Sequence, residues 1–288
     1  MKVLVIGANG QLGKDVSSNL KSRNIETITS DVIGEVDFNL DFTSEEKTIE
    51  LVKQVKPDAI INCAAWTRVD DAEDEENKDK VYALNVIGVT NLVEAAKQND
   101  CKLMHISTDY VFDGKGETPW KPDDKNYAPL SYYGETKLQS ELEVSKLNKY
   151  FIVRIAWLFG GPISFVNTML KVGKTHTEVR VVNDQIGTPT YSKDLARLLV
   201  DMIQTDKYGY YHATNEGGYI SWHDFCIEIY RQANYDTKVI PVSTKEYGIS
   251  KATRPFNSRL DKTKLSDNGF ARLPDWKDAL NRYLKEYL

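Results

Sequence analysis

Apolar positions in the first half of the chain fall in short runs separated by longer amphipathic stretches. KVLVIG (2–7), ETITSD (26–31), PDAIINCAA (57–65), KLMHIST (102–108) and YFIVRIAWLF (150–159) read as strands, and Val36 with Phe38 marks a further short one. Between them Leu12, Val16 and Leu20 recur at helical spacing over 11–22, and 44–56 opens on Ser44 as an N-cap. Two more helices are predicted over about 77–98 and 130–146. Strands that are apolar on both faces and alternate with helices belong in a parallel sheet covered on both sides. Beyond about residue 160 the pattern loosens, with helices near 192–204, 222–233 and 275–287 and short strands near 179–182 and 209–213. The expected architecture is α/β, a doubly wound parallel sheet over 1–159 with a smaller, mixed lobe over 160–288. A stretch near 176–205 is read as returning to the first lobe.

Composition narrows the function classes. The 288 residues carry a net charge of −5, which argues against a nucleic-acid footprint, so an anionic ligand must be met by local amides or a few arginines. Cys63, Cys101 and Cys226 are scattered and form neither a disulfide framework nor a CxxC metal pattern, which points to a reducing compartment. MKVLVIGANG runs directly into a strand and a glycine turn, no signal peptide is read there, and no apolar run reaches membrane-spanning length; a cytoplasmic protein is expected. The charge run DDAEDEENKDK (70–80) reads as a solvated helix start. His105, His176, His212 and His223 lack zinc spacing and are expected to be satisfied or exposed.

Several residues carry candidate chemistry. Gly7, Gly10 and Gly13 sit between the first strand and the first helix, where glycines let a backbone approach a pyrophosphate at a helix N-terminus. That context makes the fold Rossmann-type, with a bare strand–helix turn as the alternative. Asp31 ends the second strand, where an acid bonds a ribose 2′-OH, or caps its own loop. Ala64 and Ala65 keep the end of the fourth strand open to a ligand. Thr108 and Asp109 end the fifth strand at the same edge, the aspartate as a substrate contact or a turn former. Tyr133 and Lys137, four apart on one helix face, form an acid–base pair if the cation is near enough to stabilise a phenolate.

With GANGQLG (7–13), PDAIINCAAWTRVDDAE (57–73), STDYVFDG (107–114), YGETKLQSE (133–141), RIAWLFG (154–160), VVNDQIGTPTYSKDLA (181–196) and RPFNSRL (254–260), the chain resembles the extended short-chain dehydrogenase/reductases. More narrowly, it is similar to the dTDP-4-dehydrorhamnose reductase family of dTDP-rhamnose biosynthesis. The resemblance implies reduction of the C4 keto group of a dTDP-linked 4-keto-6-deoxyhexose by NADP(H), with NAD(H) also used. It implies Tyr133 as proton donor, Lys137 on the nicotinamide ribose and lowering the tyrosine pKa, and Thr108 on the carbonyl. Trp157 would line the sugar pocket and Arg254 would meet the pyrophosphate. Gly10, Gln11, Leu12, Asp31, Asp41, Phe42, Ala65, Trp66 and Thr67 match cofactor-contacting positions. Ser164-Phe165 departs from the family's Asn-Phe. Some members form a magnesium-bridged dimer through glutamates; here Asp15 and Lys193 occupy matching positions and the C-terminal acid is read as absent, so no metal and a monomer or weak homodimer are expected. The rival readings are another nucleotide-sugar reductase or epimerase, or a non-catalytic NADP-binding regulatory subunit.

Overall fold

In the computed structural model, which describes all 288 residues, the alternation of the first half is realised almost as patterned. It runs β1 (Lys2–Ile6), α1 (Gln11–Ser22), β2 (Glu26–Asp31), β3 (Phe38–Asn39), α2 (Glu45–Val55), β4 (Ala59–Asn62), α3 (Glu75–Tyr82), α4 (Gly88–Gln98), β5 (Lys102–Thr108), α5 (Tyr132–Val144) and β6 (Tyr150–Ile155). The chain continues through β7 (Leu158–Phe159), α6 (Phe165–Gly173), β8 (Glu178–Val182), β9 (Ile186–Gly187), β10 (Thr190–Tyr191), α7 (Ser192–Ile203) and β11 (Gly209–His212). It ends in β12 (Asn215–Glu216), β13 (Ile220–Ser221), α8 (Trp222–Ala233), β14 (Lys238–Val242), α9 (Thr244–Tyr247), α10 (Thr263–Asp267), β15 (Leu273–Asp275) and α11 (Trp276–Tyr287). No helix is long and apolar enough to cross a membrane.

The central sheet has seven strands in the order β11-β6-β5-β4-β1-β2-β3, every pair parallel. The chain starts at β1, winds outward to β3, then crosses back to β4. Ligand crevices form where that order reverses, at the carboxyl ends of the strands. The apolar runs are buried on both faces for a visible reason. Val3, Val5 and Ile61 meet Val16, Leu195 and Leu199 of α1 and α7, while Leu4, Ile6 and Ile60 meet Val52, Leu92 and Val144 of α2, α4 and α5.

Residues after 160 contribute to this lobe as well as to the other. Of the 176–205 stretch, α7 packs on the sheet beside α1, whereas β8 pairs with β14 in the second lobe. β11, outside that stretch, supplies the seventh strand by pairing with β6. The second lobe closes around Phe159, Tyr191, Phe225, Trp276 and Tyr283. Its α6 and β14 carried no sequence expectation. α6 follows the helix-breaking Gly160-Gly161-Pro162, and Pro241 argues against a strand in β14 except in a small edge pairing such as this two-stranded sheet.

Two expected elements are interrupted. The helix expected over 77–98 contains a π-helical turn at Ala83–Ile87, joining α3 to α4. The strand expected over 150–159 breaks at Ala156 and Trp157, where Trp157 takes a left-handed φ of 51°. For a bulky residue that conformation costs on the order of 1–3 kcal/mol and clusters at functional sites.

The helix α5 is fixed to β6 by a fully buried ion pair. Arg154 Nε and Nη2 donate to Glu141 Oε1 and Oε2 at 2.8 and 2.7 Å, and the remaining donors reach Pro122 O and Tyr127 Oη at 3.1 Å each. Phe112, Tyr127 and Tyr210 present ring faces to the guanidinium. A buried pair is weak evidence of net stability, but removing one partner strands the other charge. Arg154→Met is expected to cost about 3–5 kcal/mol in urea unfolding, and the Arg154→Met, Glu141→Leu double variant distinctly less. A single-variant loss below about 1 kcal/mol would contradict this account of the pair.

Candidate active site

The turn between β1 and α1 is built for close approach. Gly7 sits at φ 74°, and a Cβ on Gly13 would fall 2.0 Å from the Gly7 carbonyl oxygen, so a side chain there would collide with backbone. α1 has Gly10 at its N-cap and so no side-chain cap, which leaves its first N–H groups available to an anion. Beyond this turn lies a cavity of about 490 Å³ that reaches across the carboxyl ends of β4, β5 and β6. A glycine cradle, an uncapped helix start and a cleft at the switch point fit a dinucleotide.

The catalytic candidates meet in that cavity. α5 starts where Ser131 Oγ accepts from Gly134 N at 3.2 Å and Glu73 accepts from Tyr132 N at 2.8 Å. Gly134 lets the helix start press against the turn after β5; a Cβ there would lie 2.5 Å from Tyr110 O. Tyr133 therefore faces Tyr110 edge-on, ring centroids 5.6 Å apart, and lines the cavity with Thr108, Asp109 and Lys137. Burial pushes the Tyr133 phenol well above its ordinary range, and a Thr108 hydrogen bond only partly opposes this. Lys137 does not depress it as expected. The Lys137 ammonium is 2% exposed and burial pulls its pKa down to about 7. Its Nζ lies 2.7 Å from Ile106 O and 3.0 Å from His105 Nε2.

The π turn has a role here. It directs Asn85 inward, where Oδ1 accepts from Trp66 N at 2.8 Å and Nδ2 donates to Thr136 Oγ1 at 3.0 Å. One amide thus ties the wall after β4 to the helix carrying Tyr133 and Lys137.

Gly10, Gln11, Leu12, Ala64, Ala65, Thr67, Thr108, Asp109, Tyr133, Lys137, Trp157 and Arg254 all line the cavity. Asp31, Asp41, Phe42 and Trp66 do not. Asp31 Oδ2 accepts from Asn9 N at 2.9 Å and Oδ1 from Val32 N at 2.7 Å, so its carboxylate caps its own loop and ties that loop to the glycine turn. Asp41 caps Thr43, and the Phe42 ring is core, packed over Gly88. Trp66 turns its indole N–H to Arg68 O. Arg254 is no free loop arginine: Nη2 donates to Asp70 at 2.6 Å and Nη1 to Tyr110 Oη at 3.3 Å.

A second cavity of about 350 Å³ adjoins the first, and Trp222 and Arg254 line both. Phe165, Met169, Val182 and Tyr247 are part of its mostly apolar wall, which Arg180 and Asp70 also line. Trp222, absent from the sequence expectations, stacks on Trp157 with centroids 3.8 Å apart. Its only signal was a Trp at the start of a helix in the second lobe. The expectation that the C-terminal acid is missing is corrected: Glu286 on α11 pairs with Lys193 at 2.6 Å, and Asp15 accepts from Ser192 Oγ. No cluster of three or more metal-ligating side chains occurs.

A family model described as the RmlD substrate binding domain matches residues 1–288. The spore coat polysaccharide biosynthesis protein SpsK of Bacillus subtilis is 37% identical over 99% of this chain and 97% of its own length. A dTDP-4-dehydrorhamnose reductase from Clostridium acetobutylicum is 42% identical and superposes with a TM-score of 0.93, covering 100% of this chain and 99% of that one. The Bacillus anthracis dTDP-4-dehydrorhamnose reductase, solved in complex with NADP, gives 0.92 at 40% identity over 99% of this chain and 100% of that one.

Asp109 supplies a pH test of the site. Its Oδ1 accepts from Thr108 Oγ1 at 3.2 Å, Oδ2 is buried without a partner, and burial pushes the acid up to about 6 although the Ser258 and Thr108 hydroxyls pull the other way. An acid raised on folding adds stability that is complete below its unfolded value of 3.8 and is lost as pH rises through about 6. Asp109→Asn should therefore gain on wild type by on the order of 3 kcal/mol between about pH 4 and pH 8, read from urea melts. A difference between the two proteins that does not change with pH would contradict the burial.

Proposed function

The chain belongs to the RmlD substrate binding domain family, and from that premise we propose that it reduces the C4 keto group of dTDP-4-dehydro-β-L-rhamnose to give dTDP-L-rhamnose for polysaccharide biosynthesis, using NADP(H) and, less favourably, NAD(H). The observation that carries this reading is the convergence of Thr108, Tyr133 and Lys137 on one cavity that also meets the glycine turn.

The cofactor, when bound, supplies a hydride from its nicotinamide. The chain's residues do the rest. The Gly10–Leu12 turn and the open N-terminus of α1 receive the pyrophosphate. Lys137 holds ribose hydroxyls, and Tyr133, fully protonated at neutral pH because it is buried, gives its proton to the carbonyl oxygen as charge develops there. Thr108 has a single hydroxyl hydrogen, directed at Asp109 in this state, and turns it to the carbonyl when substrate arrives. The stacked Trp157 and Trp222 offer an apolar wall to the deoxysugar ring. The second cavity accepts the nucleotide, and Arg254, at the junction of the two, meets the diphosphate in place of Asp70.

Three unpaired thiols, two of them buried, support a cytoplasmic setting.

Cofactor oxidation across dTDP-, UDP- and GDP-linked 4-keto-6-deoxyhexoses tests the substrate, with the dTDP sugar expected to be turned over best. Preference for a UDP or GDP sugar would move the chain to a sister reductase. Tyr133→Phe should lose about 10²–10⁴-fold in kcat with NADPH affinity little changed. Arg254→Ala should raise KM for the sugar nucleotide more than it lowers kcat, because diphosphate binding is shared by ground and transition states. Near-normal turnover of Tyr133→Phe would remove the tyrosine from its role.

A further inference from the structure

The imidazole beneath Lys137 has no part in the chemistry above, yet its hydrogen bonds fix its tautomer. Asn62 Oδ1 accepts from Ala64 N at 3.0 Å, which sets the orientation of the amide. Its Nδ2 then faces His105 Nδ1 at 3.2 Å, so Nδ1 must be an acceptor. In a neutral ring the proton therefore sits on Nε2. Burial first, and the Lys137 charge second, hold the ring well below its ordinary pKa, so neutral is the form to consider. Nε2 has two neighbours at 3.0 Å, Ser140 Oγ and Lys137 Nζ. Ser140 gives its own hydrogen to Lys137 O at 2.7 Å and so accepts from the ring.

Lys137 thus faces a ring N–H. That single hydrogen lies between Ser140 Oγ and Nζ: an ammonium would direct its own N–H against it, whereas the lone pair of an amine can share it with the serine. The only clear acceptor at Nζ is Ile106 O, at 2.7 Å. Of the titratable groups around it, only Glu141 favours the charged form. Glu141, on the same helix, is closed bidentately by Arg154. Tyr133 on α5, Cys63 beyond β4 and Tyr110 beyond β5 are held protonated by burial, and Asp109, also beyond β5, is raised only to about 6 and is ionised at about pH 8, yet its charge does not set that of Lys137.

We propose that His105 is a positioning residue: locked by Asn62 as the Nε2–H tautomer, it turns a donor towards Lys137 and keeps the lysine an amine until a dinucleotide brings negative charge and hydroxyl acceptors to the cavity. Binding then takes one proton from solvent onto Nζ, and the ammonium so formed stabilises the Tyr133 oxygen during turnover. The inference rests on the reading of this cleft as a dinucleotide site.

Two measurements on the wild-type protein test it. Nitrogen-15 shifts of the His105 ring in the cofactor-free protein should report a neutral imidazole protonated at Nε2; an Nδ1–H or doubly protonated ring would overturn the lock. Calorimetric titration with NADPH in buffers of different ionisation enthalpy should show proton uptake that grows from near zero at about pH 6 towards one per site at about pH 8. Binding without uptake would overturn the amine state, whereas no NADPH binding at all would overturn the cofactor reading and leave the tautomer to be judged by the ring shifts. In His105→Gln, whose amide oxygen can face the lysine, uptake at about pH 8 should fall at least about twofold while NADPH still binds. Unchanged uptake there would assign the amine to burial alone and remove His105 from the account.

Discussion

A lysine cannot be taken out of water without a partner or a shift in its charge state. The way this fold buries Lys137 organises everything around it. The side chain enters between α5 and the carboxyl ends of β4 and β5, so those three elements must keep a fixed separation. The buried Glu141–Arg154 pair fixes α5 to β6 from one end, and Asn85 fixes it to the wall after β4 from the other. Ser131 and Gly134 set where the helix begins, and hence where Tyr133 stands above Thr108. Two charged residues, one side-chain amide and a serine cap, none of them a reacting group, hold one helix turn in register with one sheet edge.

The second lobe follows the same logic with apolar contacts. Its aromatic core carries Phe159 and Tyr191, which are continuous in sequence with the site through β7 and β10. That continuity lets Trp157 hold a left-handed backbone and lie flat on Trp222 of the other lobe. Arg254, Lys251 and Ala252 in turn bond Asp70 and Asp74 across the mouth, so a ligand spanning both cavities touches groups that already tie the lobes together.

The sheet, the glycine turn and the Thr108, Tyr133 and Lys137 set were readable from sequence because each depends on local periodicity or spacing. What was not readable depends on tertiary contact. His105 was expected to be a satisfied histidine, and it is hydrogen-bonded as that reading requires. That its partners are Lys137, Ser140 and Asn62 follows only once β4, β5 and α5 are side by side. Asn85 sits in what the periodicity presents as ordinary helix, and only the π turn points it inward. Asp31 had two readings open, and two backbone amides on its carboxylate favour the cap. Trp222 and the Asp70–Arg254 pair join residues about 65 to 184 positions apart in sequence, beyond any local pattern.

The central claim is that the cavity shared by the glycine turn and by Tyr133 transfers a hydride to C4 of the sugar. It is met most directly by turnover of dTDP-4-dehydro-β-L-rhamnose with NADPH deuterated at the transferring position of the nicotinamide. The account predicts dTDP-L-rhamnose carrying one deuterium at C4 and none elsewhere, formed in step with cofactor oxidation. Product without label at C4, or label at C3 or C5, would contradict it.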